Sequence, residues 1–459
     1  MKKVFVLVPL VLAVLTFNSG QGAPPQKKPP SMIGVNVVLN VDINQAVLSQ
    51  LALYGKVRDV IYEIRALTLQ CPASNLALIQ RLPYVAAANP DAERNGAPVD
   101  SVPYPDFTTF GWSTWNLDAI NVTSDTGGNK RQVAYDGTGV YVAVLDTGLV
   151  DSWRQYFPQE RIAVQYARSF GGGGGEAAVV SEQPNKWEHD QNSHGTHVTS
   201  TILGYSFYGT PFNGVAPMAT VIPVKVLNQN GRGWSSVIAR GITYVADLKA
   251  GPLAGYPVVI NMSLGGSVLD PVEQAAIDYA IDNGVIIVAS AGNNGTWGMG
   301  YPGAYAPVIS VGAAGWIGEW QDSSWWYARD VADPSSADDV YIADFSSRAL
   351  AGQDLDVAAP GSWVVGPYQV NSGQLSYYFL GGTSMATPHV AGIVALMAQK
   401  DPELTAAEAE GILETSAIPL AAGCRTITNP DGTTTEVCWE ADATGAGLAT
   451  ADAALAATP

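Results

Sequence analysis

The chain has 459 residues, of which 41 are Asp or Glu and 23 are Lys or Arg, giving a formal net charge of −18. This acidic balance argues against nucleic acid or an anionic membrane surface as a partner, because both carry negative charge themselves. With this length and 47% hydrophobic residues, the chain can bury the core of a large folded domain.

The first 23 residues have the pattern of a secretory signal peptide. Lys2 and Lys3 precede an apolar run over residues 4–17, and a short stretch of small and polar residues follows up to Ala23. An uncleaved membrane anchor is the alternative, but the run is too short to span a bilayer comfortably, and no later stretch is long enough. The pattern therefore predicts a secreted, extracellular protein without membrane contact after signal cleavage.

Residues 24–104 predict a small α+β domain. Its patterns predict strands over residues 35–41 and 60–69, helices over residues 43–54 and 75–82, and a last segment over residues 84–91, in a β-α-β-β-α-β-like order. Residues 92–110 contain Pro, Asp and Gly and are typical of an exposed linker, where proteolytic cleavage usually falls. The chain up to residue 100 is slightly basic, whereas 35 acidic and 14 basic residues follow it.

Residues 105–459 predict one large α/β domain. Apolar strands alternate with amphipathic helical stretches, which is typical of a largely parallel sheet with helices on both faces. Residues 450–457 are expected to close the domain as a helix. Cys424 and Cys438 flank a hairpin turn at residues 429–432, and in a secreted protein we expect them to form a disulfide.

Three motifs place a reactive side chain where a predicted element ends or begins. The strand in VAVLDTG ends at Asp146, the sequence NSHGTHV opens a helix with His194, and GGTSMATPHVAG opens another with Ser384. A serine hydroxyl is a poor nucleophile near neutral pH, so a base must take its proton and a carboxylate must orient that base. Asp, His and Ser are the set that a serine hydrolase requires, and their order along the chain differs between families of such enzymes.

These motifs resemble those of the subtilisin-like serine peptidases, and the resemblance covers nearly the whole chain. It implies Ser384 as nucleophile, His194 as base and Asp146 as orienting acid, in an enzyme that hydrolyses peptide bonds through an acyl-enzyme. Asn293, in the sequence VIIVASAGNNG, matches the family's side-chain donor to the oxyanion, with the Ser384 backbone N–H as the second donor. Residues 24–104 resemble the family's ferredoxin-like inhibitory propeptide, so the resemblance also implies a zymogen.

The resemblance also places a substrate groove. The segments KVLNQNGRGW and NMSLGG match those that bind peptide in the family, and the small residues after the VIIVA strand should line the pocket for the residue before the scissile bond. The expected substrate-binding residues are Gly231, Arg232, Gly233, Ser263, Leu264, Gly265, Ser290, Ala291 and Gly292.

The family relationship implies polypeptide substrates, the chain's own propeptide as an intramolecular inhibitor, and a monomeric enzyme. The chemistry requires no cofactor, whereas structural Ca²⁺ is possible because family members often bind it and carboxylates are abundant here. The metal ligands are unknown, since residues 205–212 replace the family's common calcium loop. The acidic, Trp-rich insertion at residues 317–342 fits a packed surface excursion better than a metal-bound or substrate-facing loop.

Two other functions are compatible with parts of the sequence. A non-catalytic peptide-binding protein on the same fold would bind peptides tightly without hydrolysing them. An aspartic protease needs two equivalent carboxylates, but the D-T-G tripeptides at Asp125 and Asp146 lie close together in unlike surroundings. Inhibition by a serine-directed phosphonate rather than by a pepstatin-type compound would exclude the aspartic protease.

Overall fold

The computed structural model of the protein describes residues 31–96, 98, 100–103, 113–124, 131–171, 182–183, 185–331, 334, 336–369 and 375–459. The predicted signal peptide, residues 1–23, lies outside the described residues, as do linker residues 104–110 and Asp125. Within the described ranges, no helix is both long and apolar enough to cross a membrane.

Residues 31–90, here called the N-terminal unit, form one four-stranded antiparallel sheet with two helices. The elements are β1 (Met32–Leu39), α1 (Gln45–Leu51), β2 (Lys56–Ile61), β3 (Ala66–Pro72), α2 (Leu76–Ile79) and β4 (Val85–Pro90). The strand order is β2-β3-β1-β4. Val35 and Val37 of β1 are fully buried in the core of the unit, while Asn36 between them faces the rest of the chain. The β-α-β-β-α-β order expected from the sequence is confirmed.

The expectation of one strand over residues 60–69 is wrong. Strand β2 ends at Ile61 and β3 begins at Ala66, so a hairpin turn lies in the middle of the predicted strand. Arg65 closes the turn with a φ of 51°, a left-handed conformation that favours glycine. The turn contains neither glycine nor proline, so the residue pattern gave no sign of it.

The linker and the main domain contribute the remaining elements. The linker and its continuation hold β5 (Glu93–Asn95), β6 (Asp100–Pro103) and α3 (Trp115–Asp118). The later strands are β7 (Tyr141–Asp146), β8 (Arg168–Ser169), β9 (Gly204–Phe207), β10 (Thr210–Asn213), β11 (Thr220–Lys225), β12 (Arg232–Trp234), β13 (Val258–Met262), β14 (Val285–Ser290), β15 (Ile309–Trp316), β16 (Val340–Ile342), β17 (Val357–Pro360), β18 (Val364–Pro367), β19 (Tyr377–Gly381), β20 (Gly423–Thr428) and β21 (Thr434–Trp439). The later helices are α4 (His194–Leu203), α5 (Ser235–Ala250), α6 (Pro271–Asp282), α7 (Trp325–Ala328), α8 (Thr383–Lys400), α9 (Ala406–Ser416) and α10 (Ala451–Ala457).

The main sheet has the order β16-β15-β14-β13-β7-β11-β8, with β17 also paired to β15. All of its pairs are parallel except β15 with β16, so the predicted largely parallel sheet is confirmed. Alternate residues of β14 face opposite layers: Ile286 and Val288 pack with α4 and α8, whereas Ile287 and Ala289 pack with α5 and α6. Both faces are therefore covered by helices, which explains why the strands are apolar throughout.

The insertion at residues 317–342 packs into the domain. Trp325 and Trp326 are at most 1% exposed. Their rings stack on Phe379 and Phe212 at 5.6 and 5.8 Å between centroids. Aromatic pairs of this kind add roughly 0.5–1.5 kcal/mol beyond their buried area. The insertion is thus a packed excursion, as its composition favoured.

The hairpin β20–β21 places Cys424 opposite Cys438, and a disulfide joins them. The third cysteine, Cys71, is buried in the N-terminal unit with a free thiol. The hairpin β9–β10 covers the place of the family's calcium loop. Residues 205–212 carry no carboxylate, and Tyr205 and Phe212 stack at 5.2 Å between ring centroids. The side chains of this hairpin therefore offer no charged oxygen ligand to a calcium ion.

The N-terminal unit docks on α5 and α6 through a buried polar contact. The side-chain amide of Asn36 donates to Asp270 at 2.8 Å and to Asp91 at 3.0 Å. Asp91 in turn accepts hydrogen bonds from the backbone and hydroxyl of Ser236, at the start of α5. Arg240 of α5 pairs with Asp59 at 2.7 Å. Each of these buried carboxylates therefore accepts hydrogen bonds across the contact between the two parts of the chain.

Candidate active site

Asp146 and His194 meet where the parallel strand β7 ends. His194 begins helix α4, and its Nδ1 lies 2.9 Å from both carboxylate oxygens of Asp146. Both side chains are fully buried. An ionised carboxylate only accepts hydrogen bonds, so this contact fixes the proton on Nδ1 and leaves Nε2 as the basic nitrogen. Nε2 is buried and has no hydrogen-bond partner in the described part of the chain.

Ser384 is the second residue of α8, and its side chain is 3% exposed. Its Oγ–H donates to the carbonyl oxygen of Ser263 at 3.2 Å, and the Ser263 hydroxyl donates to the Ser384 carbonyl at 2.8 Å. This reciprocal contact anchors the start of α8 to the end of β13. The Ser384 hydroxyl therefore rests against a main-chain acceptor rather than against His194.

Thr147 and Asp190 hold the backbone on either side of this pair, and sequence reasoning missed them. The Thr147 hydroxyl donates to Asp190 at 2.7 Å and accepts from the Gly195 N–H at 2.9 Å. Asp190 also accepts from the Ser193 N–H at 2.8 Å, where Ser193 has a φ of 75°. A non-glycine residue in that region is strained, so these bonds are needed to keep the start of α4 in place.

A buried lysine lies behind the same network. The Lys225 ammonium donates to the Thr147 carbonyl oxygen and lies 4.0 Å from Asp190. Burial raises the pKa of Asp190 to about 6, and the charge of Lys225 opposes that rise. The sequence indicated the role of Asp190 only by an Asp shortly before a predicted helix start. Such an Asp is equally typical of a turn.

Asn293 follows β14 and faces the start of α8. Its Oδ1 accepts from both the backbone N–H and the hydroxyl of Thr383 at 2.9 Å. Because the Thr383 N–H can only donate, Oδ1 must be the acceptor, and the Nδ2 donor is directed elsewhere. Thr383, which the sequence analysis gave no role, thus orients the Asn293 amide.

Extended backbone from the linker lies in the predicted groove. Strand β5 pairs with β12 on one side, and Asn95 exchanges two 2.9 Å hydrogen bonds with Gly265 on the other. The next residue, Gly96, donates to the Gly231 carbonyl at 2.8 Å. Gly231 has a φ of 69°, and a Cβ built there would come 2.4 Å from the Gly96 oxygen, so glycine is required.

The predicted groove residues lie at different places in and behind the groove. Gly231, Arg232, Gly233 and Gly265 flank β5, whereas Ser263 contacts Ser384. Ser290, Gly292, Asn293 and Ser384 line a cavity of about 330 Å³ beside the groove. Leu264 and Ala291 are buried behind these walls, with at most 1% exposed.

After Gly96 the chain continues as β6, which pairs with β19, with Asp100 opposite Gly381. The linker therefore contacts the groove and then the strand that leads to Ser384.

The remaining histidines of the motifs have structural contacts. His197 is buried and its Nε2 lies 3.1 Å from the Val364 oxygen, while His389 Nδ1 lies 2.8 Å from the Met385 oxygen. Burial lowers their pKa values to about 3 and about 4, so both are neutral at working pH. Asp356, Glu410 and Glu414 bring their carboxylate oxygens within 4.8 Å of one another, with Asp356 buried and the two glutamates half-buried.

A buried Asp–His pair, a serine at a helix start and a cleft that accepts extended backbone define the class of the serine peptidases. Residues 137–448 match the subtilase family, and the chain belongs to that family. It is a serine endopeptidase. The recognition of a subtilisin-like peptidase from the sequence is thereby confirmed.

The chain is similar to several members of this family. It is 34% identical to thermitase of Thermoactinomyces vulgaris over 269 residues, which are 54% of this chain and 84% of thermitase. Subtilisin DY of Bacillus licheniformis is also 34% identical, over 62% of this chain and 86% of its own. Fervidolysin of Fervidobacterium pennivorans, a keratinolytic enzyme, superposes with a TM-score of 0.65 at 23% identity, covering 94% of this chain and 62% of fervidolysin. That likeness shows the fold.

Proposed function

We propose that the protein is a secreted, monomeric serine endopeptidase, made as a zymogen, in which Asp146, His194 and Ser384 form the catalytic triad. The observation that carries this proposal is the contact of His194 Nδ1 with both oxygens of Asp146, which leaves a buried and unpartnered Nε2. A base in this state needs only a hydroxyl brought within reach. Ser384, at the start of α8, presents its hydroxyl in the cavity beside the groove.

In the proposed mechanism the Ser384 Oγ attacks the substrate carbonyl carbon while its proton moves to His194 Nε2. The imidazolium keeps its Nδ1 proton in the bond to Asp146, whose negative charge stabilises it. When the tetrahedral intermediate collapses, the carbon–nitrogen bond breaks and the Nε2 proton passes to the leaving amine. Water then attacks the Ser384 ester by the same route, and the acid product leaves.

The oxyanion is stabilised by the Asn293 Nδ2–H and the Ser384 backbone N–H. The support for this role is the orientation of Asn293, whose oxygen is held by Thr383 so that its amide hydrogens remain available. A donor aimed in advance at the developing charge costs no reorganisation during the reaction. All of these groups belong to the chain, so the proposed chemistry needs no cofactor. Any structural calcium would have a role in stability alone.

Residues 1–23 are the proposed signal peptide, and the sequence predicts an inhibitory propeptide over residues 24–104 and a catalytic domain over residues 105–459. The inhibition is supported by the course of the linker, which pairs with both edges of the groove and would exclude a substrate. Because Gly96 bonds to Gly231 in the groove and Asp100 pairs with Gly381, three residues before Ser384, we propose that the maturation cleavage falls between Gly96 and Asp100. The propeptide would then end a few residues before the predicted boundary at residue 104.

The intact masses of the purified wild type and of Ser384→Ala test the proposal. The wild type should lose a segment that ends between residues 96 and 100, and the variant should stay uncut. A wild type that remains uncut and does not react with a serine-directed phosphonate would contradict the catalytic assignment and favour a peptide-binding protein. Equal cutting of both proteins would contradict self-processing and leave the triad to be tested on added substrate.

A further inference from the structure

Arg94, in the middle of β5, has its charged side chain completely buried in the cleft. Its guanidinium lies against Glu273 of helix α6, which is also fully buried. The Arg94 Nε donates to Glu273 Oε1 at 3.1 Å, and Nη2 donates to Oε2. Nη2 also donates to the Val268 carbonyl oxygen at 3.1 Å. The contact is a bidentate, charge-assisted ion pair. Arginine can form this geometry and lysine cannot.

The backbone of Arg94 is held as a substrate backbone would be. Arg94 lies opposite Gly233 in the ladder between β5 and β12, and Asn95 pairs with Gly265 on the other edge. Two residues after Arg94, a Cβ built on Gly96 would lie 3.5 Å from His194 Cε1. Arg94 therefore occupies a fixed register, two residues before the position beside the catalytic imidazole.

The walls of the site around Arg94 come from the main domain. Asp270 caps α6 by accepting the Val272 N–H at 2.9 Å, and Pro271 takes the first helical position. These features fix Glu273 in the first turn of α6. Gly266 allows the guanidinium to lie close, because a Cβ there would come 2.9 Å from Nη1.

Glu273 belongs to the catalytic domain, whereas Arg94 belongs to the segment that maturation removes. Desolvation raises the pKa of Glu273 and the Arg94 charge opposes that rise. Once the linker leaves, the carboxylate faces the vacated groove and lacks its cation. A buried carboxylate of this kind favours a guanidinium over a neutral or acidic side chain.

We infer that Glu273 determines substrate specificity and makes this subsite select arginine, so that preferred polypeptide substrates carry Arg where the zymogen places Arg94. This inference rests on the proposed function, since it concerns the groove of a working peptidase. Lysine at this position should be accepted less well, because its ammonium cannot form the bidentate contact with Glu273. Leucine and glutamate should be poor at this position.

Four fluorogenic peptides with the sequence of residues 91–100 test the inference on the processed wild-type enzyme. They differ only at the position of Arg94, which is Arg, citrulline, Leu or Glu. Citrulline matters most, because it keeps the shape of arginine without its charge. We expect kcat/KM for the Arg peptide to exceed that of the citrulline and Leu peptides by about 10- to 100-fold, as for the loss of one partner of a buried charged pair. Equal rates for Arg and citrulline would overturn the inference.

Variants of α6 assign the effect to one side chain. Glu273→Leu should abolish the preference for Arg and favour the Leu peptide, and Glu273→Gln should narrow the Arg-to-citrulline ratio at nearly unchanged side-chain volume. Asp282→Asn is the matched control, because it removes a charge from the exposed end of the same helix and should leave the ratios unchanged. If the variants fail to fold, the wild-type peptide series still decides.

Digestion of denatured casein, followed in parallel, separates this inference from the proposed function. An enzyme that digests casein but cleaves the four peptides alike would contradict the arginine subsite alone. A protein that cleaves neither casein nor any peptide would contradict the proposed function and the inference with it.

Discussion

Two buried pairs that each contain a carboxylate lie in the same cleft, and they differ in which parts of the chain supply the partners. Asp146 and His194 both belong to the main domain, whereas Glu273 belongs to the main domain and Arg94 to the linker. In the first pair one nitrogen is left without a partner, as a base requires. In the second pair, Arg94 and Glu273 are each other's partner, and the proposed maturation would remove the arginine. Under the two proposals, the permanent pair prepares a reactive atom and the temporary pair prepares a binding site.

Replacing the carboxylate of the permanent pair should have the largest effect. In Asp146→Asn the amide would stabilise the wrong imidazole tautomer, and we expect kcat to fall by about four orders of magnitude with little change in KM. Steady-state kinetics on a peptide substrate measures this. Asp151→Asn is the control, because Asp151 contacts His189 at the same 2.9 Å but both side chains are exposed, and its kcat should not change. Equal losses in both variants would contradict the role of Asp146.

Removing the positive charge of Arg94 should make the linker open more often from the groove. In the uncleaved Ser384→Ala protein, a further Arg94→Leu change leaves Glu273 buried without its partner, which costs about 3 kcal/mol or about 100-fold in local opening. Hydrogen exchange of the Asn95 and Gly96 amides, which bond across the groove, measures that opening.

Glu93→Gln is the matched control for Arg94→Leu. Glu93 is the neighbouring residue, and its contact with Arg232 is exposed to solvent. Surface ion pairs contribute little, so protection of the two amides should stay unchanged. If Arg94→Leu also left the protection unchanged, the buried pair would not hold the linker.

Glu319, in the insertion, is a third buried carboxylate. Unlike Asp146 and Glu273, it accepts hydrogen bonds only from uncharged donors that are not imidazole or guanidinium groups. It accepts from the Trp316 N–H, the Tyr341 hydroxyl and the Ser362 hydroxyl, and burial raises its pKa to about 7. The folded state therefore binds a proton more tightly than the unfolded state. Its contribution to stability is complete below a pH of about 4 and is lost as the pH rises towards 7.

Glu319→Gln should remove this part of the pH dependence. The amide stays neutral, so the variant should lose less thermal stability than the wild type between pH 5 and pH 8, by a few degrees in Tm at most. Thermal unfolding at the two pH values, in the Ser384→Ala background to prevent autolysis, measures the difference. A wild type and variant with parallel pH profiles would show that Glu319 does not titrate in this range.

The sequence predicted those parts of the site that have a local signature. Asp146, His194 and Ser384 each stand where an element ends or begins, with small residues around them, and the strands and helices there formed as expected. The turn inside residues 60–69 was missed because it contains no residue that favours a turn. Thr383 was missed because its role depends on the distant Asn293, 90 residues away.

The sequence by itself determined the fold class, because apolar periodicity acts over a few neighbouring residues. It also indicated the candidate catalytic residues, because the motifs around them resemble those of the subtilisin-like peptidases. Only the tertiary structure decided which charges are paired in the cleft. Arg94 and Glu273 are 179 residues apart, and nothing near either one marks it as a partner. Their contact exists because β5 lies between β12 and Gly265 while α6 begins beside that groove. Pairing of buried charges depends on this packing of distant segments, since the desolvation that makes a partner necessary arises only in the folded chain.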